Sequence, residues 1–262
     1  MPNQLKKTAL DAAQAAGLLL KKNIYKPHAI KFKGVIDIVT EMDKKAEGLI
    51  IKIIKDKFPD HGILTEESQE QKTGSEYRWI IDPLDGTTNY SHGYPVFCVS
   101  IALERDGEII MGAVYDPMLD ELFTAEKGRG AYLRKKKIRV SRIAGLSRSL
   151  LATGFPYDVR TSQENNMNHF ANFAVRAQAI RRAGSAALDM CYVACGRFDG
   201  FWELKLKPWD TAAAALIIQE AGGTATDFKG NPFSLYSGET LASNGLIHEE
   251  MIKVLQGKGF PS

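Results

Sequence analysis

Cysteine is scarce in this 262-residue chain: Cys98, Cys191 and Cys195 are the whole supply. An odd count with no CxxC pair argues against a disulfide framework or a zinc knuckle. Cys191 and Cys195 lie four apart on an expected helix, so they share a face and read as core packing. The histidines (His28, His61, His92, His169, His248) are scattered without ligand-like spacing. That argues against a histidine-rich metal site and a Ser-His-Asp hydrolase, and no G-x-S-x-G elbow is present. No apolar run approaches the roughly 20 residues that a membrane span needs. Internal repeats and low-complexity tracts are absent. Neither sign of charge dominates, with 34 Lys and Arg against 31 Asp and Glu. The densest basic run, Arg134 to Arg139, has only Tyr132 beside it. It reads as a solvated hairpin, because a nucleic-acid surface would interleave aromatic residues with the charge.

What is present suits a sizeable core, since hydrophobic residues make up 44% of the chain. One domain, 1–262, is expected, with two lobes of about 1–140 (sheet-rich) and about 141–262. Lys6-Lys7 and the apolar stretch to Leu20 imitate a signal peptide, but Asp11 and Gln14 interrupt it. Leu5, Ala9, Ala12, Ala16, Leu19 and Leu20 recur at helical spacing, so an amphipathic helix from Leu5 to Tyr25 and a soluble, cytoplasmic protein are expected. A second helix runs from Thr40 to before Pro59, with Ala46, Leu49, Ile50, Ile53, Ile54 and Phe58 on its buried stripe. Strands follow at Gly62 to Thr65, Tyr77 to Ile81, Val96 to Leu103, Glu108 to Tyr115, Glu121 to Phe123 and Ala131 to Leu133, with a hairpin turn at Asp106-Gly107. In the second half, strands at Leu150 to Thr153, Ala179 to Arg181, Asp199 to Trp202, Gly223 to Thr226 and Leu241 to Ser243 alternate with helices. Those helices span Gln163 to Arg176, Gly184-Ser185 to Cys195, Pro208 to Ala221 and His248 to Leu255. The mixture predicts an α/β chain of α+β type, with sheets and helices in layers.

Two acidic clusters carry the chemistry: Glu66-Glu67, and Asp82-Pro83-Leu84-Asp85-Gly86-Thr87-Thr88-Asn89. In the second, an apolar strand ends in two carboxylates, a glycine and two hydroxyl residues. A buried carboxylate costs several kcal/mol unless paired or metal-bound, and no basic residue lies inside the motif. Oxygen-only donors suit Mg2+, and a glycine-threonine turn offers N–H and hydroxyl groups to phosphate. Local readings stand beside these: Asp82 and Asp85 as turn residues, Thr40 and Asp43 as a capping box, and Asp210 as an acid at a helix start. A haloacid-dehalogenase-type phosphatase also uses aspartates and Mg2+, but it places them at i and i+2, whereas Asp82 and Asp85 stand at i and i+3.

Taken together, Asp37 to Asp43, Glu66-Glu67-Ser68, Asp82 to Asn89, Gly154-Phe155-Pro156-Tyr157, Arg181 to Asp189, Pro208-Trp209-Asp210 and Glu220-Ala221-Gly222-Gly223 resemble the inositol monophosphatase family, in order and over nearly the whole chain. The resemblance implies a layered α-β-α-β-α sandwich, Mg2+ dependence, lithium sensitivity and a homodimer acting on a small phosphorylated substrate, with neither membrane nor nucleic acid as partner. It assigns Glu66, Asp82, the Leu84 carbonyl, Asp85 and Asp210 to the metals, with Glu67 behind them. Gly86, Thr87 and Thr88 would meet phosphate. Asp43 and Thr87 would orient and deprotonate the attacking water. Asp85, Arg181, Ser185, Ala186, Glu203 and Asp210 would line the substrate alcohol. Thr65 stands where glycine is frequent and is expected to narrow the approach to the metal; Lys33 falls in a segment of uncertain spacing. The expected reaction is direct hydrolysis of myo-inositol monophosphates, with one Mg2+ on Glu66, Asp82 and Leu84 activating water and a second on Asp82, Asp85 and Asp210 at the leaving oxygen. Fructose-1,6-bisphosphate, NADP and histidinol phosphate stay open as substrates, as does a regulatory binding protein that keeps the fold. The polar stretch Ser68 to Glu76 reads equally as a metal-linked lid or a solvated connection.

Overall fold

Helix α1 (Pro2–Lys21) buries Ala9, Ala12, Ala13, Ala16 and Leu20, one stripe at helical spacing. Helix α2 (Glu41–Lys55) starts where Thr40 Oγ1 accepts from the Met42 N–H at 3.1 Å and the Asp43 carboxylate accepts from the Thr40 N–H at 2.8 Å. The computed structural model describes residues 2–257. Between the two helices lies a small antiparallel hairpin, β1 (Ile30–Phe32) and β2 (Ile38–Thr40). All three β1 residues are exposed, so the short Ile30-Lys31-Phe32 alternation marks no buried face.

The larger sheet runs in the order β3-β4-β5-β6-β7-β8-β9. Its strands are β3 (Gly62–Thr65), β4 (Tyr77–Asp85), β5 (Cys98–Arg105), β6 (Glu108–Asp116), β7 (Glu121–Glu126), β8 (Ala131–Leu133) and β9 (Lys136–Lys137), with the short helix α3 (Thr87–Ser91) between β4 and β5. Only β3–β4 is a parallel pair. The smaller sheet has the order β11-β10-β12-β14-β13, from β10 (Leu150–Thr153), β11 (Ala179–Arg181), β12 (Gly200–Leu204), β13 (Thr224–Thr226) and β14 (Glu239–Ser243). Four more helices complete the described chain: α4 (Met167–Ala174), α5 (Ala186–Ala194), α6 (Pro208–Glu220) and α7 (His248–Leu255).

Strand alternation sets the layers. On β4 and β5, Trp79, Ile81, Val99, Ile101 and Leu103 face α1 and α2. Ile80, Cys98 and Ala102 point the other way, onto α5 and α6. The far side of those helices rests on Ala152, Phe201 and Ala242 of the smaller sheet. That sheet's outer face, with Leu151, Trp202 and Leu241, is covered by Phe173 of α4 and by Met251 and Val254 of α7. The sequence of layers is α-β-α-β-α, as expected. Helix α6 is buried all round because it lies between two sheets. Its alanines keep it thin: a Cβ added at Gly112 of β6 would come within 2.5 Å of the Ala213 carbonyl oxygen.

Several boundaries differ from expectation. The helix expected over 163–176 is shorter, because Asn166 is left-handed (φ 70°) and its side-chain amide donates to the Gly154 carbonyl and the Thr153 hydroxyl. Strand β4 continues past Ile81 through Pro83 to Asp85. The run 134–137 is an exposed turn and strand at the sheet edge, as its composition suggests. The 68–76 segment is tied down: Ile63 and Gln71 exchange both backbone hydrogen bonds, at 3.0 and 2.8 Å, and Glu70 binds Arg78. Among the described residues no helix is long and apolar enough to cross a membrane.

Candidate active site

Asp82 and Asp85 are three apart, an odd interval that would send them to opposite faces of a regular strand. A bulge resolves this. Asp82 pairs with Ser100 and Asp85 with Cys98, so three steps along β4 match two along β5. The extra residue brings both carboxyls to the face that carries Ile80, toward α5 and α6. Gly86 then turns the chain at φ +100°, and a Cβ there would lie 2.9 Å from the Val96 carbonyl oxygen. Only glycine suits that left-handed, crowded position. The turn opens α3, whose first N–H groups have no acceptor within the helix.

These elements wall a cavity of about 450 Å³. Glu66 enters from the end of β3, Asp82, the Leu84 backbone and Asp85 from β4, Gly86, Thr87 and Thr88 from the α3 turn, Ser185 and Ala186 from the start of α5, Glu203 from β12, and Asp210 from the first turn of α6. Asp82 is 2% exposed. Burial, then Glu66, Asp85 and Asp210, push its carboxyl well above the usual range. Asp210 is driven up by burial and by Asp85, Glu66 and Glu203. Burial pushes Glu66 up to about 7 against the pull of Lys33. Asp43 stands behind the wall: its Oδ1 accepts from the Thr87 hydroxyl at 2.8 Å, a proton that Thr87 shares with the Leu84 carbonyl oxygen at 3.0 Å. The local readings of Asp43 and Asp210 therefore coexist with the site, since Asp43 also caps α2 and Asp210 also accepts from the Lys207 N–H at 2.7 Å.

The donor chemistry fits a hard divalent cation: all oxygens, and mutually repelling carboxyls of which only Glu66 has an ion-pair partner among the described residues, Lys33. Among the described residues, however, no three His, Cys, Asp or Glu side chains stand in an arrangement that could hold a metal ion as it is. Each carboxyl accepts from a protein donor. Asp82 Oδ1 accepts from the Leu84 N–H (3.0 Å), Asp85 Oδ2 from the Ser185 hydroxyl (2.7 Å) and the Ala187 N–H (2.8 Å), and Glu66 takes the Lys33 ammonium (2.9 Å). All four acids nevertheless line one cavity.

A model of the inositol monophosphatase family matches residues 1–259. The chain belongs to that family. It is 45% identical to the inositol-1-monophosphatase of Synechocystis over 94% of this chain and 87% of that protein. It is 43% identical to a relative from Escherichia coli named Nus factor SuhB, over 93% and 92% of the two chains. The solved structure of the Anabaena inositol monophosphatase superposes with a TM-score of 0.89 at 41% identity, covering 99% and 98%. The protein is thus a phosphatase, and the inositol monophosphatases are generally metal-dependent.

Two placements correct the sequence reading. Arg181 lies at the edge strand β11, exposed, and does not line the cavity; its neighbour Arg182 does. Glu67 stands behind the wall, where it pairs with Lys33 and its N–H donates to Glu47 at 3.1 Å. The Thr65 hydroxyl donates to Glu47 at 2.7 Å, so it points to α2 rather than across the approach to the metal. None of residues 68–76 lines the cavity, which removes the support for a lid. Lys33, set aside in the sequence for want of spacing, bridges Glu66 and Glu67. Sequence reasoning also missed Asp189 as a wall residue and gave Tyr157 no role, although both line the cavity. The quoted segments Gly154 to Tyr157 and Arg181 to Asp189 contained the signal without saying which side chains turn inward.

Proposed function

We propose that the protein is a Mg2+-dependent phosphomonoesterase that releases phosphate from myo-inositol monophosphates by direct attack of water. The observation that carries this reading is the meeting of Glu66, Asp82, Asp85 and Asp210, from three separate elements, in one cavity beside the Gly86-Thr87-Thr88 turn. Glu66, Asp82, the Leu84 carbonyl, Asp85 and Asp210 are the residues that would hold Mg2+, which when bound supplies Lewis-acid charge to both water and leaving oxygen. The remaining work falls to the chain. First-turn N–H groups after Gly86 receive the phosphate oxygens. With its own proton given to Asp43 Oδ1, Thr87 Oγ1 accepts from the attacking water and orients it. Burial raises the Asp43 carboxyl and makes it a better proton acceptor. Ser185 and the Ala187 N–H hold Asp85 in place.

Phosphate release from inositol 1-phosphate, fructose 1,6-bisphosphate, NADP and histidinol phosphate, with Mg2+ varied and lithium added, tests the proposal. Faster turnover of another ester would replace the substrate, activity without divalent metal would remove Mg2+, and a trapped phospho-aspartate would end direct hydrolysis. Buried thiols Cys98 and Cys191 suit a reducing cytoplasm, and the family resemblance supports a homodimer, which sedimentation would check. A second role as a binding protein draws on the name Nus factor SuhB of the relative at 43% identity. A catalytically silent Asp82→Asn protein that still served that role would establish it.

A further inference from the structure

Asp189 sits in the first turn of α5 among apolar neighbours, and its side chain is 1% exposed. Its Oδ1 is buried with no hydrogen-bond partner among the described residues, yet Asp189 borders the same cavity as the acids of the proposed metal site. Leaving a buried carboxyl oxygen unpaired is costly. Helix polarity favours an acid near this end of α5, but it does not offset the cost of an orphaned oxygen at the edge of a cavity. Beside Asp85, two further charged neighbours define the surroundings. Glu203 comes from β12, pressed so closely against Gly154 that a Cβ at that glycine would overlap its carboxylate. Arg182 comes from the rim, with Nη1 2.8 Å from where a Cβ on Gly184 would stand. Both interact electrostatically with Asp189.

We propose that Asp189 is a specificity-determining residue: with Glu203 and Arg182 it forms a polar wall that receives the free hydroxyl groups of a polyol phosphate. The proposal rests on the phosphatase reading above and deepens it. An apolar leaving group would leave Asp189 Oδ1 unsatisfied. A second phosphate on the substrate would meet two acids. A hydroxyl fits the set, because it donates to or accepts from a carboxyl group and accepts from a guanidinium. Arg182 already counters part of the acidic charge, which disfavours an ammonium group as the intended occupant. Sites built to bind a hydroxyl reject esters that lack it more strongly than apolar pockets discriminate by size.

The test uses the full chain with Mg2+ and two esters: inositol 1-phosphate, and p-nitrophenyl phosphate, whose alcohol has no further hydroxyl. Asp189→Ala should lower kcat/KM for inositol 1-phosphate by about 10- to 100-fold while p-nitrophenyl phosphate changes by less than about 3-fold, the scale of one lost charge-assisted hydrogen bond. Equal losses on both esters would mean a structural role and overturn the proposal, as would no loss on either. Should the alanine protein fail to fold, Asp189→Asn, of the same shape, must show the same selective loss in smaller measure. A panel in which the wild type prefers an amino-alcohol phosphate to a polyol phosphate would also overturn it. Failure of the wild type to hydrolyse either ester would instead sink the phosphatase reading itself.

Discussion

Asp82→Asn removes a charge while keeping a shape, and two measurements should move in opposite directions. Phosphate release should fall by at least about 100-fold, the scale of losing a group aimed at developing charge. Thermal unfolding in chelator should show equal or greater stability, because Asp82 is buried among Glu66, Asp85 and Asp210 with no cation beside it. A large drop in metal-free stability would make Asp82 structural. Glu203 gives a pH prediction. Burial pushes its carboxyl up to about 8, with Arg182 pulling back and Asp85 adding repulsion. The folded protein therefore keeps a proton that the unfolded chain releases near the ordinary value of 4.5. Between those values the folded form binds more protons, so stability is full below the lower pH and is lost as pH rises through the upper one. Glu66, pushed up to about 7, adds to the same slope. The urea midpoint of metal-free protein should decline from pH 5 to 8, and Glu203→Gln should flatten that decline.

At the level of elements, Gly112 marks where β6 touches α6. Gly112→Ala puts a methyl group against the Ala213 backbone, and a destabilisation of about 1–3 kcal/mol is expected in urea unfolding. Helix α2 was legible in the sequence because it buries one face and leaves a period behind; β6, whose last six residues are buried on both faces, was legible as an apolar run after the Asp106-Gly107 turn. The hairpin of β1 and β2 was not, because β1 buries nothing. The end of β4 was misjudged for a different reason: Pro83 reads as a stop, yet it sits inside the strand where a bulge tolerates it. Asp82 and Asp85 were legible because carboxyls at the end of an apolar strand, next to glycine and threonine, suit a cation and a phosphate; Asp210, an acid at a helix start, joined them only through the family resemblance. The partner that holds Glu66 was not legible: Lys33 lies 33 residues away, and only folding joins them. The choice between Arg181 and Arg182 depends on where β11 ends, a matter of one residue that composition does not decide.

For the molecule as a whole, cation binding and folding are linked. Mg2+ at 100 times its dissociation constant should stabilise the protein by about 2.7 kcal/mol, raising Tm by several degrees on the scale of about 2–4 °C per kcal/mol for chains of this size. Differential scanning with Mg2+ against chelator measures it, and an unchanged Tm would mean that the acids hold no ion. The middle layer also constrains how this architecture can vary in length. Because α6 touches protein on every side, adding or deleting one residue within it would turn the rest of the helix by about 100°. Any such turn would drive larger side chains into clefts shaped for alanine while swinging Asp210 away from its counterparts. Insertions and deletions are therefore tolerable only in peripheral connections such as the lysine-rich tip after β8, and the thirteen-residue span from Pro208 to Glu220 acts as a ruler for the whole assembly.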